Sequence, residues 1–192
     1  VDVERTRVLR DLLAHTDWMS RSRALARGLR RAGPGGLLLV GSPDYEPWHI
    51  TAHLADEARA VGLPGLAPTL VRHEVPAGAP AHLAVDLSRL EAAGRQDTLF
   101  VVVPRSAGEG LLSRLADARK AGATLLALDR GEEELASLAH ERFEVLAQDV
   151  LPEADLAFST AQHLVSLAAG EFPVRPAGVR DRVARFLDTI SG

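Results

Sequence analysis

Three side chains able to move a proton or hold a metal recur at every fourth residue of one segment: His49, His53 and Glu57. On a helix, a step of four turns about 40° past a full revolution, so the three form a shallow stripe about 12 Å long. Neighbours in such a stripe can share a proton or a metal ion. The same spacing also suits an ordinary solvated polar face, and spacing alone leaves both readings open. A second set falls late in the chain, where Asp155, Ser159, Gln162 and Ser166 form a polar stripe against Leu156, Leu164, Val165 and Leu167, with His163 at the apolar boundary. Asp155 and His163 stand eight residues apart, about 12 Å along a helix axis, which is too long for one ion to take both easily. Taken singly, His163 also reads as a packed, hydrogen-bonded histidine and Asp155 as a first-turn carboxylate favoured by the helix dipole. The third candidate is the loop Pro104-Arg105-Ser106-Ala107-Gly108-Glu109-Gly110. Its small residues would let backbone approach a ligand and its free N–H groups could hold an anion, with Arg105 adding charge and Glu109 opposing it. Strand-to-helix turns use Gly and Ser for geometry as well.

These residues need elements to position them. Residues 3–32 carry a helical stripe through Val8, Leu12, Leu13, Met19, Leu25 and Leu29, broken by Gly33-Pro34-Gly35-Gly36. A short buried strand is predicted over 37–40, then the loop Gly41-Ser42-Pro43-Asp44, then a helix over 47–61 that opens on Pro47 and stops at Gly62. A strand over 66–72 and a helix over 81–93 follow. The run Thr98-Leu99-Phe100-Val101-Val102-Val103 has no polar alternation after its first residue, the habit of a central parallel strand buried on both faces. Helix 109–121, strand 123–128, helix 132–140, strand 143–147, helix 153–169 and a last amphipathic helix over 178–190 complete the alternation. Four or five strands alternating with helices predict a doubly wound α/β, three-layer domain with a mostly parallel sheet. Ligands of such sheets bind beyond the carboxyl ends of the strands, which directs attention to loops 41–46 and 104–110. The domain plan is an N-terminal helix over 1–34, the α/β domain over 35–170, and a Pro-rich break and helix over 171–192.

Composition closes several alternatives. A chain of 192 residues with 46% hydrophobic and 25% charged side chains can bury a full core and is not disordered in character. The 26 acidic against 22 basic residues give no electrostatic footprint for a nucleic-acid backbone. With no cysteine, thiolate zinc sites and cysteine nucleophiles are excluded together. No apolar run approaches the roughly 20 residues of a membrane span, and Asp2, Glu4, Arg5 and Arg7 have no signal-peptide core behind them. The expectation is a cytoplasmic protein without nucleic-acid or membrane partners.

The pieces, in this order, resemble the sugar isomerase (SIS) fold and within it the phosphoheptose isomerase branch. Ala52-His53-Leu54-Ala55-Asp56-Glu57-Ala58 matches a segment of Gln-His-x-Ala-x-Glu type, keeping the His and the Glu. Residues 97–128 resemble the central strand, phosphate loop, helix, Ala-Gly-Ala turn and strand. Leu135-Ala136-Ser137-Leu138-Ala139 before Phe143-Glu144-Val145 resembles the family's ending. The resemblance covers roughly residues 3–170. It implies Glu57 as the base that moves a proton between C1 and C2 of an aldose or ketose phosphate, and His163 as the partner acid. It implies His53 and Asp155 as ligands of a zinc ion, and Ser42, Arg105, Ser106 and Gly108 as substrate-binding residues. A homo-oligomer packed through the N-terminal helix is expected, with sites assembled between subunits. The loops depart from the pattern. Gly41-Ser42-Pro43-Asp44-Tyr45-Glu46 carries two carboxylates where the family has Gly-Asn-Gly-Gly-Ser. In the phosphate loop only Ser106 remains, Glu109 replaces a serine and Pro104 lacks an N–H. These departures put beside the isomerase reading one of another class: a non-catalytic, degenerate SIS module acting as a ligand sensor or subunit partner.

Overall fold

The computed structural model describes Leu13 and residues 16–146 and 153–171. Its first full helix, α1 (Trp18–Arg30), leads into β1 (Gly36–Gly41), α2 (Trp48–Val61), β2 (Pro68–Val71), α3 (Ser88–Glu91) and β3 (Asp97–Val103). Next come α4 (Glu109–Lys120), β4 (Thr124–Asp129), α5 (Glu133–Leu138), β5 (Glu141–Glu144) and α6 (Ala154–Gly170). The five strands form one sheet in the order β2-β1-β3-β4-β5, every neighbouring pair parallel. All seven residues of β3 are buried, as its unbroken apolar run requires of a strand covered on both faces.

Alternate strand residues feed two cores. Leu37, Leu39, Phe100, Val102, Leu126 and Leu128 face α1, α2 and α6, while Leu38, Val40, Leu99, Val101, Val103 and Ala127 face α3, α4 and α5. This is the expected α/β sandwich of three layers, with five strands. On the first face α6 is wedged between α1 and α2, so its side chains are buried over most of its circumference. The stripe of α1 is used within the chain: Trp18, Leu25, Ala26 and Leu29 are buried, and Trp18 meets Phe143 of β5 edge-on at 5.5 Å.

Two expectations are corrected. The helix over 81–93 is instead a 3-10 turn at Ala81–Leu83 and the single turn α3, because the backbone between them is used elsewhere. Arg72 N–H donates to the Val85 carbonyl, and Arg72 and Asp86 make a parallel bridge that prolongs β2. Asp86 Oδ1 then accepts from Ser88 N–H and starts the short helix. The strand over 143–147 begins two residues earlier, at Glu141, because Arg142 reaches the buried Asp129 at the end of β4 with a two-pronged contact of 2.7 and 2.6 Å. Ala147, the part of the N-terminal helix before Thr16 other than Leu13, and the helix over 178–190 lie outside the described residues. Among the described residues, no helix is long and apolar enough to cross a membrane.

Candidate functional site

The strand order reverses between β1 and β3: the chain leaves β1 towards β2 on one side and returns to β3 on the other. The helices that follow β1 and β3 therefore lie in opposite layers, and in sheets of this kind ligands bind in the crevice between the two loops at the carboxyl edge. The two loops singled out by sequence meet there. Arg105 donates to Asp44 Oδ2 at 2.9 Å, and Gly108 lies beside Pro43. Gly108 opens α4 with φ of 76°, a left-handed conformation that glycine adopts without strain. At Gly41 the constraint is space, since a Cβ would stand 1.9 Å from the Tyr45 carbonyl oxygen.

The polar groups of the crevice are held in pairs. Ser42, fully buried, donates from Oγ to Asp44 Oδ1 at 2.7 Å, and this bond, then Arg105, holds the Asp44 carboxyl below the usual carboxylate range. Glu46 accepts two bonds from Arg72, at 2.8 and 3.0 Å, and a third from Trp48 Nε1 at 2.6 Å. Arg72 is the main cause of the lowered pKa of Glu46, and its guanidinium also lies 5.1 Å from the Trp48 ring centroid. In the second loop, Ala107 N–H donates to Glu132 Oε2 at 3.1 Å, and Gly108 N–H to Ser106 Oγ at 3.3 Å. Glu109 is exposed at the first position of α4.

Below the crevice lies a cluster of histidines. On α2, Ile50, Leu54 and Ala58 are buried, and the row one residue before them, His49, His53 and Glu57, flanks this core stripe and turns towards α6. His163 of α6 meets the first two: the three rings stand 4.3 to 4.6 Å apart, edge-on, with one ligand atom from each within 4.8 Å of the others. His49 Nε2 and His163 Nε2 approach to 2.5 Å. Burial, and then the His49 and His53 rings, pushes the His163 pKa down to about 3, while burial and then His53 lower that of His49. The segment joining β1 to α2 ties cluster to crevice, since Tyr45 donates from its hydroxyl to Gln162 Oε1, next to His163, at 3.1 Å.

The remaining candidates fall elsewhere. A Cβ on Gly170 would stand 1.8 Å from Glu57 Oε2, so the Glu57 carboxylate reaches α6 seven residues beyond His163, about 10 Å along the axis. Asp155 is exposed and pairs with Arg130 at 3.5 Å. His49 belonged to the predicted stripe, but its meeting with His163 joins two helices 114 residues apart and leaves no mark in local spacing. Neither Glu132 nor the bond from Tyr45 to Gln162 is marked by the sequence as part of the site. The acidic character of loop 41–46 was the available signal.

Three imidazoles without a thiolate suit a borderline divalent ion such as zinc, which binds nitrogen at about 2.0–2.1 Å. Two such ligands on a tetrahedral ion stand about 3.3 Å apart, so His49 and His163 would need to separate by under 1 Å. His49 is exposed and has room to turn. The donor set fits the ion.

No protein-family model matches the sequence, and no curated protein does. Solved structures do match, and they establish the fold as that of sugar isomerase (SIS) domains. The sugar isomerase domain of the RpiR transcription factor from Sphaerobacter thermophilus is similar with a TM-score of 0.55 at 14% identity, over 96% of this chain and 92% of that one. A putative phosphosugar isomerase from Silicibacter pomeroyi DSS-3 gives 0.59 at 16% identity, over 96% of this chain and 52% of that one. The Vibrio vulnificus NanR protein complexed with ManNAc-6P gives 0.56 at 15%, over 96% and 64%. The chain thus spans most of the RpiR domain but about half of the Silicibacter protein.

Proposed function

We propose that the protein is a SIS-type binding module that takes a phosphosugar or related polar metabolite of the sugar class in the crevice above β1 and β3, acting as a ligand sensor or subunit partner. The observation that carries this reading is the meeting of loops 41–46 and 104–108 at the point where the strand order reverses, with Arg105, Ser106 and Gly108 at its rim and Ser42 buried beneath it. The fold it shares with RpiR and with the ManNAc-6P-bound NanR supports the ligand class. Isomerase chemistry of the phosphoheptose type is the second reading, favoured by Glu57 and His53 sharing one row of α2. It requires Glu57 as base and His163 as acid within hydrogen-bond reach of the same two carbons. Within one protomer Glu57 lies against Gly170, seven residues along α6 from His163, and the resemblance behind this reading implies a site completed by a second subunit of a homo-oligomer.

Zinc is proposed at His49, His53 and His163, with Asp155 outside the donor set. A bound ion would supply Lewis acidity beside the crevice, while Tyr45 and Gln162 orient what binds there. Deuterium exchange at C2 of aldose phosphates, followed by proton NMR, separates the two readings. The binding reading predicts no enzyme-dependent exchange, and exchange abolished by Glu57→Gln would establish the isomerase.

A further inference from the structure

Several of the donors around the crevice are already in use, and Arg105 keeps only part of its guanidinium free. Ser42 Oγ and Arg105 are bonded to Asp44, Arg72 grips Glu46 with two bonds, and Ala107 N–H ends on Glu132 Oε2. These carboxylates come from two separate segments, the loop after β1 and the residue that precedes α5, and converge on the loops after β1, β2 and β3. Pro104, the first residue after β3, has no N–H to add. We propose that Asp44, Glu46 and Glu132 fill the anion positions of the crevice from within, so that it excludes phosphate monoesters and its ligand is an uncharged or amine-bearing polyol. This sets aside the phosphosugar, keeps the related polar metabolite of the sugar class, and rests on the crevice being the binding site.

The chemistry of the pairs supports the exclusion. A phosphate dianion needs several N–H or O–H donors pointing at it, and its strongest partners are guanidinium groups that can face two oxygens at once. Arg72 presents that fork to Glu46. The contacts that favour the ionised state of Asp44 and Glu46 also engage Arg105 and Arg72, so an incoming dianion finds both guanidinium charges already neutralised by a carboxylate. The hydroxyls of a sugar can both donate to such carboxylates and accept from Arg105, and a protonated amine gains from their charge. Asp44 is the replaceable member. Its side chain and that of Arg105 are 52% and 65% exposed, so a neutral residue at position 44 frees Arg105 without opening the core.

The test is isothermal titration of the full chain and of Asp44→Asn, Asp44→Ser and Glu132→Gln with inorganic phosphate, N-acetylmannosamine 6-phosphate, N-acetylmannosamine and glucosamine, folding being checked by circular dichroism. The expected result is phosphate binding about tenfold or more tighter in Asp44→Asn or Asp44→Ser than in the unaltered chain, with the unphosphorylated sugars preferred by the unaltered chain. An unaltered chain that binds phosphate or the sugar phosphate as tightly as the Asp44 variants overturns the proposal while leaving the crevice as the binding site. Variants that gain no phosphate affinity overturn it as well. If the variants gain phosphate but neither they nor the unaltered chain binds any sugar, the filling of the anion positions is upheld and the sugar-binding reading is what fails.

Discussion

His163 is buried between two other imidazoles, a surrounding that keeps its ring neutral and points its nitrogens at theirs. Its folded-state pKa, about 3, lies below the ordinary 6.5, so the folded protein refuses a proton that the unfolded chain accepts. Stability tied to the neutral ring is therefore complete above about pH 6.5 and is lost as pH falls towards 3. With a chelator present, Tm should decline through that window, and His163→Gln should flatten part of the decline. An unchanged slope in the variant would mean that the cluster is not the titrating group. The same substitution should weaken zinc binding by at least about tenfold, read by competition with a zinc-chelating dye, whereas Asp155→Asn should leave it unaltered. Equal losses in the two variants would move the ion towards Asp155.

At the scale of elements, β1, its loop and α2 act as one part. Asp44, Tyr45, Glu46 and His49 each reach a different neighbour, namely Arg105, Gln162, Arg72 and His163. Gly41 sets the turn that makes this possible, because the Tyr45 carbonyl and Pro47 Cδ, 2.7 Å from the site of a Cβ, leave no room for a side chain. Gly41→Ala should cost about 1–3 kcal/mol of stability, read as a lowered midpoint in urea, and should weaken ligand binding beyond what Thr69→Ala on β2 does. An unchanged midpoint would show that the turn relaxes freely. The strands and long helices were legible because an unbroken apolar run and a four-residue stripe are local signals. Helix 81–93 was misread because the groups at Val85 and Asp86 that interrupt it bond to Arg72, which local propensity does not see. The row His49, His53 and Glu57 was visible, but which of its members meets His163 depends on how α2 and α6 pack. Tyr45 and Gln162, 117 residues apart, illustrate the same limit.

Across the whole molecule, the parallel sheet divides the labour. Both faces are packed with apolar side chains, and the polar groups available for binding collect at the loops of the carboxyl edge. The acidic excess of the chain takes on meaning there, because Asp44 and Glu46 are paired with Arg105 and Arg72, and Glu132 accepts from Ala107 N–H. This crevice is the proposed binding site. Its most direct test is backbone NMR of the labelled protein titrated with the four ligands named above. Shift changes are expected to concentrate on residues 42–49, Arg72, 105–108 and Gln162. Changes clustered on another face of the molecule, or none at millimolar sugar, would contradict it.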